Sequence, residues 1–415
     1  MDHFIARQPI LDRKLRNVGY EILFRSGMHN AFQHDDPNEA SRSVIADSSF
    51  LLGLRTLVEG KTAYFNVTRE VLLSGHVTIL PPDQVVIEIM ETVMADDEVL
   101  SAIASLRALG YTIALDDFVY HAGSLPLVQY AQIIKLDFLA SSAAERREII
   151  GKLGRRGLQF LAEKVETMES VEEARELGCS FFQGYFFSRP MILRSREVPT
   201  FKLQSLRILH EIQRPQLDFR DIEKFVKHDV SISYKLLRYT NSAAFGFRRE
   251  IRSLQEAMHL LGEREVRKIL SLIVMTTLGR DRPEQLLTDS VVRGRFCEEL
   301  APRLGMGKRA QDLFFLGMFS MIDAIVGRPM DQVLVDLPIA VDVKEALLGT
   351  RGRLRTLLDF VIAFERGEWE AAESRCAELT LAWKEVPSVH WKAIAWSQDS
   401  IGAARDGDGS QRRAA

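Results

Sequence analysis

The chain has 415 residues, of which 46% are hydrophobic and 27% charged, so it predicts two globular domains with enough apolar material for two cores. Its formal net charge of −3 argues against bulk nucleic-acid binding as the main task. The cysteines, Cys179, Cys297 and Cys376, are widely spaced and odd in number, which reads as reduced thiols in a cytoplasmic protein.

Up to about Pro190 short apolar segments alternate with helix-like ones. Strands are predicted at 6–11, 18–24, 62–68, 85–90, 112–118, 132–138, 159–165 and 181–187. Between most of them lie helical stretches at 39–54, 96–110, 143–157 and 168–178, the last three ending in Gly as a helix C-terminus favours. Near-continuous apolar strands alternating with helices predict a parallel sheet covered by helices. Eight such strands suggest an α/β barrel related to the (β/α)₈ type, which needs ~200 residues or more. The segment is short for that, so trimmed helices or an incomplete ring are expected. The linker DRKLRN (12–17) is too short for a parallel crossover, so the first strand should run antiparallel to the second.

From about Phe201 the strand signal disappears. Helical periodicity covers 201–213, 221–228, 232–245, 254–262, 263–278, 309–327, 353–367 and 369–383, an all-α pattern. The expected division is a barrel domain over 1–195, a helical domain over 200–400, and a polar, Gly-rich, disordered tail over 403–415. MDHFIARQPI at the N-terminus lacks the apolar core of a signal peptide. The most apolar helical run, ILSLIVMTTL (269–278), is shorter than the ~18 residues of a membrane span, so no membrane partner is expected.

The strand segments carry Glu21, Asn66, Glu88, Asp116 with Asp117, Lys135, Glu163 with Glu166, and Gln183. Most sit in apolar runs such as VVIEIM (85–90) and TIALDDF (112–118), where an unpaired carboxylate is costly to bury. Acids repeated at strand ends predict convergence at one rim of a parallel barrel. Converging carboxylates need a counter-charge, and Mg²⁺ or Mn²⁺ is the usual one for oxygen ligands. The alternative is a polar network without metal that ties strand ends together by charged hydrogen bonds.

These strings resemble the EAL family of cyclic di-GMP phosphodiesterases, in family order over roughly 5–190. GYEILFR (19–25) is similar to the signature strand, FNVT (65–68) to the Asn strand, and IEIMET (87–92) to the Glu-x-Thr-Glu segment. LDDF (115–118), IKLD (134–137), AEKVET (162–167) and FFQGYFFSRP (181–190) resemble the double aspartate, the lysine strand, the paired glutamates and the closing strand. The resemblance implies Glu21, Asn66, Glu88, Asp116 and Asp117 on Mg²⁺ or Mn²⁺, and Arg25 and Gln183 toward the substrate. It implies Lys135, Glu163 and Glu166 in catalysis, with Glu91 supporting a loop. Lys135 would position or deprotonate water, or neutralise phosphate. The implied substrate is cyclic di-GMP, cleaved to its linear dinucleotide with two cations assisting.

The departures are specific. The signature's alanine is Ile22, a larger side chain expected beside the metal site, and the threonine of Glu-x-Thr-Glu is Met90. The Gly-rich loop after the double aspartate is VYHAGSLP (119–126), and the Gly between the paired glutamates is Lys164, a cation expected among the ligands. With the helical half, these changes resemble the EAL domains fused to an HDOD domain, and imply a degenerate, regulatory EAL domain with weak or no hydrolysis.

The helical half carries that second resemblance in HDVSISYKLLRYTNSAAFG (228–246) and SLQEAMHLLG (253–262), with Val230 in place of the family's Pro. His228–Asp229 mimics a phosphohydrolase dipeptide, yet no second such pair follows to complete a metal shell, so Asp229 reads as a helix N-cap. Asn241, Ser242 and the small residues after them read as a helix-end turn that sets packing. Trp369, Trp383, Trp391 and Trp396 read first as core. The domain is expected to bind a protein partner without catalysis. Basic runs such as RREIR (248–252) read as solvated faces, so no nucleic acid is expected; a homodimer is compatible with the sequence.

Overall fold

The structure is a computed structural model that describes residues 3–26, 54–121, 123–154, 157–186, 200–214, 230–241, 251, 253–335 and 337–405. The chain divides into two compact units, Met1–Phe187 with Ala363–Trp369, and Ser188–Ile362 with Glu370–Ala415.

The first unit is an eight-stranded closed barrel. Its strands are β1 (His3–Asp12), β2 (Asn17–Ser26), β3 (Thr62–Val67), β4 (Val85–Ile89), β5 (Thr112–Leu115), β6 (Ile133–Asp137), β7 (Gln159–Glu163) and β8 (Phe181–Gln183). β1 runs antiparallel to both β2 and β8, and every other neighbouring pair is parallel. The antiparallel start follows from the short 12–17 linker. The incomplete ring does not occur, because Ile10–Asp12 pair with Phe181–Gln183 and close it.

Three covering helices match expectation within a few residues: Asp97–Ala108, Ala143–Leu153 and Met168–Leu177. Each starts on a side-chain cap, from Asp96, Ser142 and Thr167, that satisfies an otherwise orphaned backbone N–H. Gly178 ends the third in the left-handed conformation. The helix expected at 39–54 lies almost wholly outside the described residues.

Alternation places the site. Inside the barrel, Ile10, Tyr64, Val86, Ala114, Ile133 and Leu161 form one buried layer, with Phe181 packed against it. Two residues further along, each parallel strand from β3 to β8 presents Asn66, Glu88, Asp116, Lys135, Glu163 or Gln183. Side chains two apart share a face, so the polar set forms the next layer, at the C-terminal rim. Gly19 stands two residues before Glu21, and a β-carbon there would lie 2.8 Å from the Tyr64 ring. Glycine therefore makes room for tyrosine in the apolar layer.

The described elements of the second unit are all helical, among them Thr200–Gln213, Val230–Thr240, Glu284–Leu300, Ala310–Phe319, Ile322–Val326 and Val386–Arg405. The stretches expected at 254–262 and 263–278 form Leu254–Leu278, interrupted at Gly262 with φ of 75°. The single helix expected over 309–327 is two, and the chain of 403–405, expected in the tail, completes a helix. Residues 221–229, with His228–Asp229, lie outside the described set.

Helices 284–300 and 310–319 cross closely. A β-carbon on Gly317 would collide with the Arg293 carbonyl, and one on Gly294 would lie 2.9 Å from the Phe314 carbonyl oxygen. Trp383 is buried edge-on against Phe360 and packs as core, whereas Trp396, edge-on against Phe314, is only partly buried. Asn241 donates to the Ile251 carbonyl and accepts from the Ile251 N–H, both at 2.7 Å, which fixes the helix end.

Candidate active site at the barrel rim

Lys135 is fully buried, and its ammonium is ringed by acids: Asp116 Oδ1 at 2.7 Å, Glu88 Oε1 and Glu163 Oε1 at 2.8 Å, and Glu21 Oε2 at 3.3 Å. Asn66 Nδ2 donates to Glu21 Oε1 at 2.7 Å, and Gln183 Nε2 to Glu21 Oε2 at 2.6 Å. One buried ring thus gathers seven of the side chains expected there.

Backbone bonds set the rim. Asp116 N–H donates to Ile89 O, Phe118 N–H to Lys135 O, Phe138 N–H to Glu163 O, and Val165 N–H to Gln183 O. Each strand end is thereby tied to its neighbour. Past these ends, Asp117 (φ 39°) and Lys164 (φ 53°) take the left-handed backbone that L-residues rarely adopt. Their side chains form a second, outer cluster, in which Lys164 Nζ lies 3.3 Å from Asp117 Oδ1 and 2.5 Å from Asp137 Oδ2.

Burial and charge act against each other in the inner ring. Burial pushes Glu88 well above the usual carboxylate range, with Glu21 and Asp116 adding to it against Lys135. Burial likewise raises Glu163 to about 8, despite Lys135. Asp116 is raised by burial and by Glu21. Glu21 is the exception, held low against its burial by Lys135, Gln183 and Asn66. For Lys135 the surrounding acids outweigh burial and keep it charged well beyond the ordinary range. In the metal-free ring this favours the charged form of Lys135, an ammonium in contact with the surrounding carboxylates.

The other expected residues are dispersed. Asp117 belongs to the outer cluster, Glu91 is exposed after β4, Glu166 is half-buried, and the Arg25 side chain lies outside the described residues. Ile22 is not beside the ring: it alternates with Glu21 and is buried on the opposite face of β2. Asp137 and Gln8 were not anticipated; Gln8 Oε1 accepts from Gln183 Nε2 at 3.0 Å. Asp137 was legible as a further acid at the end of IKLD, whereas nothing local marks Gln8. The altered 119–126 segment is held by Ser124, which donates to the Val119 and His121 carbonyls.

The donor set suits a hard divalent cation. Four carboxylates surround one ammonium, leaving excess negative charge that protons or a cation must offset. Glu88 Oε2, Glu163 Oε2 and Gln183 Oε1 are buried acceptors without a hydrogen-bond donor among the described residues. Oxygen acceptors in excess of donors are what Mg²⁺ or Mn²⁺ uses. The acids close on Lys135 itself, and among the described residues no three form a ready ion cage.

Comparison with known proteins agrees with these motifs. The EAL domain family matches residues 73–190 and the HDOD domain family residues 198–328. The chain is 35% identical to the cyclic di-GMP phosphodiesterase CdgJ of Vibrio cholerae, covering 95% of this chain and 92% of that protein. It is 32% identical to the uncharacterized protein YuxH of Bacillus subtilis, covering 96% and 99%. Among solved structures, the calcium and cyclic di-GMP complex of Klebsiella pneumoniae BlrP1 is 24% identical, with a TM-score of 0.38 over 46% of this chain and 56% of that one. No helix among the described residues is long and apolar enough to cross a membrane. With relatives alike over nearly their whole length and both domain families in tandem, the chain belongs to the family of signalling proteins that join an EAL domain to an HDOD domain.

Proposed function

We propose that this protein binds cyclic di-GMP at the barrel rim with the help of Mg²⁺ or Mn²⁺, hydrolyses it weakly or not at all, and passes the bound state to a protein partner through its HDOD domain. The observation that carries this reading is the buried ring of four acids on Lys135 beside a second lysine, Lys164, on the outer acids.

Glu21, Asn66, Glu88, Asp116 and Glu163 are the residues that would hold the cation, which supplies charge neutralisation for a phosphate and acidifies a nucleophilic water. Lys135 keeps a positive charge among the ring acids that would complement an anionic phosphodiester. Glu163, with its carboxyl raised to about 8, holds its proton at neutral pH in the metal-free protein and is a weak proton acceptor until that proton leaves. Two internal ammonium groups already satisfy part of the acid set. These features support attenuated turnover over full activity.

A second reading, an active phosphodiesterase producing the linear dinucleotide, is favoured by the complete inner ring and by the full-length likeness to CdgJ. The test is cyclic di-GMP binding to the purified full chain with and without Mg²⁺, followed by assay of the linear product. Mg²⁺-strengthened binding with turnover far below the ordinary ~1–10³ s⁻¹ supports the proposal. Turnover in that range, abolished in Glu21→Ala, replaces it with the second reading.

A further inference from the structure

We propose that Lys164 is a built-in cation that fills the position between Asp117 and Asp137, so that the rim takes up one divalent cation where its carboxylates alone would take two. The inference deepens the proposed function and rests on its reading of the inner ring as a divalent-cation site.

The rim carries two adjoining acid clusters, each centred on a lysine. The inner one holds Lys135 among Glu21, Glu88, Asp116 and Glu163. The outer one holds Lys164 between Asp117 and Asp137. Three strand ends contribute to both: Asp116 and Asp117 follow β5, Lys135 and Asp137 lie on β6, and Glu163 ends β7 with Lys164 next, while β2 and β4 add Glu21 and Glu88 to the inner cluster alone. Consecutive aspartates split between the clusters bring two positions for positive charge side by side, the arrangement that a two-cation phosphodiester site uses.

The backbone shows that the outer lysine is held in place. Lys164 has φ of 53°, a conformation that disfavours a β-carbon and suits glycine. The neighbouring bonds Phe138 N–H to Glu163 O and Val165 N–H to Gln183 O pin both flanks of that residue. From there its side chain turns back across the rim to Asp137, whose carboxyl is held below the usual range, against its burial, by Lys164 and by the Leu139 and Ala140 N–H groups. A dication approaching Asp117 and Asp137 must displace an ammonium already bonded to both. At contact distance that repulsion weakens binding by roughly 10–100-fold, even with strong solvent screening.

The experiment counts Mn²⁺ bound to the full chain by electron paramagnetic resonance at neutral pH, without substrate. The unmodified protein is expected to bind one Mn²⁺, and Lys164→Gln and Lys164→Gly two. Lys164→Arg, which keeps the charge, should stay at one. Adding Asp137→Asn to Lys164→Gln should remove the second ion, and Glu21→Gln should weaken only the first. Two ions in the unmodified protein, or one in both neutral variants, overturns the role of Lys164 and leaves the inner site standing. No Mn²⁺ in any variant overturns both readings. Lys164→Gln removes the charge but keeps a side chain only one atom shorter, so it decides the matter if Lys164→Gly folds poorly.

Discussion

Lys135 Nζ and Glu163 Oε1 lie 2.8 Å apart on neighbouring parallel strands, yet Glu163 keeps its proton to about pH 8. Burial and the nearby Asp116 and Glu21 outweigh the ammonium, because one positive charge cannot satisfy four acids.

That proton has a pH signature. A carboxyl raised in the folded state binds its proton more tightly there than in the unfolded chain, so its contribution is complete below about pH 4.5 and is lost as pH rises through about 8. Glu88 and Asp116 are raised and act with the same sign. Glu21 and Asp137 are lowered, and their contribution is lost only toward acid pH. Metal-free protein should therefore lose stability in urea melts between about pH 5 and 8. Glu163→Gln should flatten the slope, and an unchanged slope would show that Glu163 titrates normally.

Lys135 is the group whose loss should harm the barrel most. Lys135→Met keeps volume but leaves the ring of acids without its ammonium. Stranding partners of a buried ion pair costs about 3–5 kcal/mol, read as a lower urea midpoint at pH 7. Adding Glu21→Gln, which removes the carboxylate held low against its burial by Lys135, Gln183 and Asn66, should recover part of it. A Lys135→Met protein as stable as the parent would mean that Glu21 is neutral as well.

Much of this was visible in the residues, and the reason is period two. Apolar residues at 64, 86, 114, 133 and 161, each followed two positions later by a polar one, specify an apolar layer beneath a polar rim. Which acid meets which lysine was not visible, because Asp116 and Asp117 are identical in type and separate only through the φ of 39° at Asp117. Asp137 stands in plain view at the end of IKLD, but its place in an outer cluster was not visible, because its partner is Lys164, a residue 27 positions away. In the helical unit, helix 284–300 lacks a clear amphipathic stripe because Gln285, Thr288, Ser290 and Arg293 are buried along with its apolar residues. Ser290 donates to the Met318 carbonyl and Arg293 to Ser320, which is how those polar groups are accommodated.

Gly184 should tolerate no side chain. Its φ is 148°, and an added β-carbon would collide with the Val165 carbonyl oxygen and lie 2.5 Å from the Val165 nitrogen. Val165 N–H also donates to Gln183 O, so any shift moves the strand end that carries Gln183. Gly184→Ala should cost at least about 1–3 kcal/mol of stability. Chemical denaturation checks this; a change below about 0.5 kcal/mol, the usual surface range, would show that the strand end yields freely.

In the helical unit, Asn241 bonds both the N–H and the carbonyl of Ile251. Asn241→Ala leaves those backbone groups without their partner, and should lower stability by about 1–3 kcal/mol. Asn241→Asp keeps only the accepting half and should fall between the two. Equal stability of all three proteins would show that solvent replaces the side chain.

Glu88 separates the two readings of the ring, a cation site and a polar network. It is fully buried and raised well above its ordinary range, which favours the neutral, protonated form in the folded metal-free protein. Glu88→Gln preserves that neutral shape, and the urea midpoint should move by less than about 1 kcal/mol. A divalent cation, by contrast, requires the ionised carboxylate and must expel its proton, so binding depends on a charge that glutamine lacks. Mn²⁺ affinity should then fall at least about tenfold, or ~1.4 kcal/mol. The parent should also bind more tightly as pH rises toward 8 and release protons, measurable by calorimetry in buffers of different ionisation enthalpy. If Glu88→Gln instead unfolds the barrel readily and leaves Mn²⁺ binding unchanged, the ring is a structural network and the cation site lies elsewhere.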